Sequence, residues 1–460
     1  MFALPPLIAL LFFVYIRPQE HYEQLTVVPW LHLLFGLALL GHFIDIKLAI
    51  TRPKPSPQVP WMVAFFVWVM ISIGIRAPGD VMGTAVAVFL FLLIGYLVGN
   101  ALTTFRGLNA VGVTIAVLAM ALAMATIYQA RQPKQCVKAD LSADAEHSGT
   151  PDGRPCQRIR DCSQLEPGAR YYCESIGVMG TMTVYGRARY RGILKDPNDL
   201  SMTLSIALPL LFVLMRQNPT RTRILLCIAA SVITFISIVP TQSRGGQLVY
   251  VGVLAMHFLW RFGMKTSMIA GAPAVPLMLV MILVRGKRAD ADASADERIR
   301  CQWNALRMFG MFPVTGVGYN HITDHWKQTA HNAYLLAVAE LGLPGAFIWF
   351  GVSYITAKML LQIRAHTKGR PEAKVAQLWS EALLASHAGL HFGIMFLSFC
   401  YHFIYWIYIG LAGAIYKATK AHDPDFEVTF TKQDWALHSA ITAGWLGLWK
   451  VFIEWKYRKL

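Results

Sequence analysis

Long apolar runs alternate with short joints rich in Arg, Lys, Gly or Pro along most of the chain. A run of about 20 apolar residues crosses a bilayer as a helix, and a continuous run of that length favours helix over a half-buried strand. The pattern predicts spans near Phe2–Ile16, Val27–Ile50, Val59–Ile75, Val81–Val98 and Leu108–Ile127. Further spans are predicted near Leu200–Met215, Ile224–Val239, Gln247–Leu259, Met268–Val284, Ala333–Leu361, Leu378–Leu397 and Phe403–Ala414. The expected fold is therefore all-α, a polytopic integral membrane protein of roughly twelve transmembrane helices. The first run lacks a basic lead and a small-residue cleavage site, which marks a retained anchor rather than a leader.

The joints orient the spans. Lys47, Arg52 and Lys54, Arg106, Arg216 with Arg221 and Arg223, Arg261 with Lys265, Arg364 through Lys374, and Lys417 with Lys420 fall on alternate joints. The positive-inside rule places those joints and both termini in the cytoplasm. Two long loops, 130–199 and 285–330, then lie outside. The expected organisation is N-terminal membrane helices over 1–129 and an outer loop over 130–199. A membrane core over 200–418 includes the second loop, and a cytoplasmic tail covers 419–460. Cys136, Cys156, Cys162 and Cys173 all lie in the first loop. An even cluster outside the cytoplasm reads as up to two disulfides with three possible pairings; a zinc site competes, but no CxxC pair supports it. In the tail, Trp445, Trp449 and Phe452 share one helical face beside Lys450, Lys456, Arg458 and Lys459. That pattern suits a helix lying on the inner leaflet, with an additional span as the alternative.

Composition narrows the class. The chain is 55% hydrophobic and 15% charged, with mean hydropathy +0.44, which excludes a soluble multidomain enzyme. The net charge of +16 is weak evidence for nucleic acid, because Lys and Arg in such proteins mark cytoplasmic loops and anionic headgroups. No Gly-rich phosphate loop, zinc spacing or RNA-binding signature is present, so nucleic acid is not expected as a partner; membrane lipids are.

Candidate chemistry gathers on the outer joints. Arg187, Arg189, Arg191 and Lys195 form a basic run that ends in the Asp196-Pro197-Asn198 turn before the sixth span. Thr241-Gln-Ser-Arg-Gly-Gly246 sets Arg244 beside two glycines, where backbone can approach a ligand. Arg298 and Arg300 precede Trp303, and Phe312-Pro-Val-Thr-Gly-Val-Gly318 leads to His331 and Asn332 at the head of a long apolar helix. Guanidinium pairs bidentately with phosphate oxygens and keeps its charge, and imidazole suits a base near neutral pH. The set points to transfer chemistry on a lipid-linked diphosphate. The plainer readings are arginines that snorkel to headgroups, Arg298 and Arg300 paired with nearby acids, and a histidine that anchors a helix end. Gly342, Pro344 and Gly345 read as a kink and close packing, His387, His391 and His402 as packed, and Tyr401–Trp406 as an interfacial belt.

The order of these motifs resembles the O-antigen ligase and O-antigen polymerase family of bacterial membrane glycosyltransferases. Lys195-Asp-Pro-Asn198, Thr241–Gly246, the Arg step before Trp303, Phe312–Gly318, His331-Asn-Ala-Tyr334 and Glu340-Leu-Gly-Leu-Pro-Gly345 carry it, most strongly over Arg191–Gly345. The resemblance implies an enzyme of the bacterial inner membrane, active on its periplasmic face, with no cofactor and no metal. Its donor would be a glycan on undecaprenyl pyrophosphate. Its acceptor would be a lipid or glycan hydroxyl, as on lipid A–core. Arg244, Arg298, Arg300 and His331 would be catalytic, with Arg191, Lys195, Asn198 and Asn332 binding the pyrophosphate or glycan. Polymerisation of exopolysaccharide repeats and protein O-glycosylation within the same family are alternatives. A lipid-linked glycan transporter, or a lipid-phosphate-binding scaffold without activity, is the alternative outside it. The Cys-containing loop departs from the family pattern.

Overall fold

A computed structural model describes residues 1–51, 54–139, 149–162, 168–271 and 289–459, which are mostly helical. The helices are α1 (Leu4–Tyr15), α2 (Trp30–Lys47), α3 (Val59–Arg76), α4 (Val81–Ala101), α5 (Phe105–Arg131), α6 (Pro197–Gln217) and α7 (Arg221–Thr241). They continue with α8 (Arg244–Gly271), α9 (Ala289–Met311), α10 (Ala333–Thr367), α11 (Lys374–Gly393), α12 (Phe403–His422) and α13 (Lys432–Tyr457). Among the described residues eight segments are long and apolar enough to cross a membrane, those of α2 to α7, α10 and α13. α1, α8, α11 and α12 are helical where spans were predicted but fall outside that set. Most of the predicted span Met268–Val284 lies outside the described residues.

The chain divides into two compact units, one of 1–7, 35–111 and 252–460, the other of 8–34 and 112–251. In the first, α4 packs on α12 through glycines. A Cβ on Gly99 would come within 3.1 Å of the Gly410 carbonyl oxygen, and one on Gly410 within 2.6 Å of that of Gly95. Small residues at this spacing let two membrane helices approach backbone to backbone. Tyr405 and Trp406 are fully buried here, Trp406 between Phe65 and Phe91 and Tyr405 stacked on Trp349. They are core, not the expected interfacial belt, because the glycine contact draws α12 into the centre of the unit.

α10 is two helices in one. Gly342 sits at φ 66°, ψ −172°, and Pro344 follows, so the break combines a left-handed residue with a missing donor. The Phe312–Gly318 loop fills it. Val317 and Gly318 amides donate to the Ala339 and Glu340 carbonyls at 2.9 Å, and the Leu343 amide donates to Pro313 at 2.8 Å. Trp68 Nε1 donates to the Leu341 carbonyl at 2.8 Å. Every backbone group freed by the break that these contacts reach is thereby satisfied, as burial demands. Gly345 packs its backbone against Trp68, matching the close-packing role expected of it.

The second unit departs from an all-α fold. β1 (Lys134–Ala139), β2 (Gly149–Pro155) and β3 (Tyr171–Ser175) form an antiparallel sheet in the order β2-β1-β3. Two disulfides, Cys136–Cys162 and Cys156–Cys173, lock it. Hydropathy cannot reveal strands this short and polar, and the cross-links supply what their small core lacks. The sheet has a directing role. The buried Glu174 carboxylate accepts from Thr183 Oγ1 and the Tyr185 amide, each at 2.6 Å, and the Gly186 amide at 3.1 Å. It thus holds the turn that delivers Arg187.

Candidate functional site

In the unit containing the sheet, polar side chains converge on the joint between α7 and α8. Asp196 caps α6 by accepting from the Asn198 amide at 2.6 Å, with Pro197 in the first turn, a strong helix start. Asn198 Oδ1 accepts from Ser243 Oγ at 2.6 Å, and Ser243 Oγ accepts from the Gly246 amide at 2.9 Å. The Asp-Pro-Asn turn and the Ser-Arg-Gly-Gly step are therefore one hydrogen-bonded node. A Cβ on Gly246 would fall 2.0 Å from Ser201 Oγ, whereas Gly245 faces open space. Only one of the two glycines leaves backbone free for a ligand.

The arginines of this unit divide by what they touch. Arg187 Nε donates to the Thr241 carbonyl at 3.0 Å, bracing the end of α7. Arg191 donates to the Glu20 carbonyl at 2.7 Å and to that of Met179, joining two loops. Burial lowers the pKa of its guanidinium. Arg191, expected as a binding residue, is thus a cross-brace in this structure. Lys195 is exposed. Arg244 opens α8, is exposed, and its guanidinium has no hydrogen-bond or ion-pair partner among the described residues. A charged fork beside the amides of a helix N-terminus is a ready anion site.

In the other unit, His331 heads α10. Its backbone is left-handed at φ 48°, uncommon for a residue with a Cβ, and its amide donates to Ser398 Oγ at 3.0 Å. The Ala333 amide donates to the Ile394 carbonyl at 2.9 Å, so the loop after α11 fixes this corner. Asn332 is fully buried and caps α10, with Oδ1 accepting from the Tyr334 and Leu335 amides at 3.0 and 3.1 Å. Its acceptor atom therefore serves the helix, and Nδ2 has no partner among the described residues.

α9 reaches the same corner. Glu297 pairs with Lys327 at 2.9 Å, and Cys301 Sγ donates to Gln328 Oε1 at 3.5 Å. These ties hold the α9 turn carrying both arginines against the loop that runs into His331. Arg298 is half-buried on the face it shares with the buried Cys301, Gln302, Ala305 and Met308, while Arg300 is exposed with Arg307. Two residues apart on a helix means about 200° of rotation, so the two arginines do not serve one ligand equally.

Residues 229–350 match the family described as O-antigen ligase. This segment belongs to the O-antigen ligase family. The match covers a little over a quarter of the chain and contains Arg244, Arg298, Arg300, His331 and the break in α10, but not Lys195 or Asn198. No curated protein matches the chain. The segment's likeness to O-antigen ligases thus sits in a chain that has, among the described residues, eight helical segments long and apolar enough to cross a membrane.

Motif order missed two residues of the ligase segment's surroundings. Arg76 donates from Nε to Thr315 Oγ1 at 2.8 Å and lies 4.0 Å over the Phe312 ring, pinning the loop that fills α10. Ser398 holds His331. Both come from elements remote in sequence, with no local signal. His387 Nε2 meets the Tyr408 carbonyl at 3.0 Å and His402 caps α12, in line with the packed roles expected of them. An open cavity of about 620 Å³, lined by His366, Arg370 and Asp423, lies at the far end of α10 from His331. It contains none of the candidate residues.

Proposed function

We propose that this chain is a glycosyltransferase of the O-antigen ligase type. It would move a glycan from undecaprenyl pyrophosphate to an acceptor hydroxyl on the periplasmic face of the inner membrane. The bond from the sugar anomeric carbon to the pyrophosphate oxygen breaks, and a bond from that carbon to the acceptor oxygen forms. Arg244 and Arg298 neutralise the charge that grows on the departing pyrophosphate. His331 accepts the proton that leaves the hydroxyl. The observation that carries this reading is the guanidinium of Arg244, which lies inside the family segment and has no hydrogen-bond or ion-pair partner among the described residues, whereas Arg187 and Arg191 of the same unit are engaged by carbonyls. The uncommon backbone of His331, fixed by Ser398, supports a preorganised base.

A broken membrane helix also marks many transporters, whose freed backbone groups bind ions or solute. Here the Phe312–Gly318 loop and Trp68 occupy those groups, which favours the enzyme. The test is complementation of a strain lacking the gene by His331→Ala and Arg244→Ala, with expression and fold checked. Loss of transferred surface glycan with lipid-linked glycan accumulating is expected. Normal surface glycan from both variants would refute the mechanism.

A further inference from the structure

We infer that α13 crosses the bilayer against α10, with acyl chains covering its outward face, and ends on the side where His331 lies. The contacts run along α10 in antiparallel order. Asp434 accepts from Tyr354 Oη at 2.7 Å and pairs with Lys358. One turn on, His438 Nε2 meets the Phe347 carbonyl at 3.0 Å. Trp445 packs on Tyr334, with ring centroids 4.6 Å apart. The last turn leaves α10 for α9, where Tyr457 stacks on Trp303 with centroids 4.7 Å apart and planes 15° from parallel. That is the arm of α9 tied to the loop that enters His331.

Polarity on α13 is inverted relative to a helix in water. Asp434, His438 and Thr442 face protein, at 7%, 1% and 2% exposure. Leu437, Ile441, Leu448, Val451 and Phe452 face outward. A helix lying in a membrane surface turns one polar face to water; here the polar face is already sealed by α10, and the outward stripe from Leu437 to Phe452 is apolar apart from Ser439 and Lys450. Trp435 near one end and Trp455 near the other are both about half exposed, as in the aromatic belts at two interfaces. The 26 residues span about 39 Å at the helical rise, enough for the roughly 30 Å hydrocarbon core. Lys450 pairs with Glu454 and lies within two turns of the end, where long side chains reach headgroups. The basic residues Lys456, Arg458 and Lys459 then stand on the His331 side, against the positive-inside tendency. α13 is held there by its contacts with α9 and α10 rather than by charge.

The test is cysteine labelling in the full chain, in spheroplasts, with a membrane-impermeant maleimide and the unsubstituted chain as background. Arg458→Cys should label in intact spheroplasts, and Asp425→Cys, in the joint before α13, only after lysis. Labelling of both positions from one side only, whether inside or outside, overturns the inference. A Trp303→Cys, Tyr457→Cys pair gives an independent readout. It should cross-link under mild oxidation in intact membranes, and absence of the cross-link in a folded, inserted variant counts against the assignment. Neither readout depends on the reaction assigned above.

Discussion

Two glycine-bearing steps of this chain look alike in sequence and behave differently in the structure. Thr241-Gln-Ser-Arg-Gly-Gly246 and Glu340-Leu-Gly-Leu-Pro-Gly345 both interrupt apolar runs, and both leave backbone groups without helical partners. In the second, the protein's own loop enters the gap and hydrogen-bonds the freed groups. In the first, one glycine packs on Ser201, the other faces open space, and the arginine between them and Ser243 has no described partner. A glycine-rich break is therefore a ligand site only where the fold has not already filled it. The same distinction sorts the arginines.

Substitutions at the two steps should have different effects. The largest effect belongs to the chemistry: His331→Ala and Arg244→Ala should each lower glycan transfer by about a hundredfold or more. Thermal stability in detergent should stay within a few degrees of the parent. Gly342→Ala should act in the opposite way. Its Cβ would fall 2.1 Å from the Val314 carbonyl oxygen at a left-handed backbone, so stability should fall by about 2 kcal/mol or more, read as earlier thermal unfolding. Gly245→Ala has room for a methyl group and should leave stability unchanged; any loss of transfer would then report a ligand close to that backbone. On α9, Arg298→Ala should impair transfer at least tenfold more than Arg300→Ala, by the charge-assisted contact one face can make. The smallest effect expected is from Arg191→Met, which should loosen the Glu20 and Met179 contacts, measured as a modest drop in unfolding temperature, with transfer retained.

Much of the scaffold was legible. Apolar runs marked the helices apart from α9, whose polar sequence read as part of the outer loop 285–330; Asp196-Pro197-Asn198 read as a turn and forms the first turn of α6, and Gly342 with Pro344 announced a kink. What escaped has a common physical cause: sequence spacing tells which face a residue occupies, not what lies opposite it. Arg191 reads as a phosphate ligand until Glu20 and Met179, remote along the chain, are seen to accept its hydrogen bonds. Asn332 reads as a binding residue, and the structure adds that its oxygen caps a buried helix start, which spacing alone does not show. Arg298 and Arg300 are indistinguishable until Lys327 and Gln328 fix the roll of α9. The Cys-containing loop hid a sheet, because three strands stabilised by disulfides need no hydropathic signature. Tyr401–Trp406, at the head of α12, read as an interfacial belt because its aromatic content is the same whether glycines draw the helix inward or not.

Among the described arginines of the unit that carries the sheet, Arg244 is assigned to the diphosphate and Arg191 to a structural brace. The most direct measurement is the affinity of the purified protein for undecaprenyl pyrophosphate, for the parent chain, Arg244→Ala and Arg191→Met at one salt concentration. Losing one charge-assisted contact should weaken binding by about tenfold or more in Arg244→Ala, with Arg191→Met close to the parent. Equal affinity for the parent and a folded Arg244→Ala would contradict it.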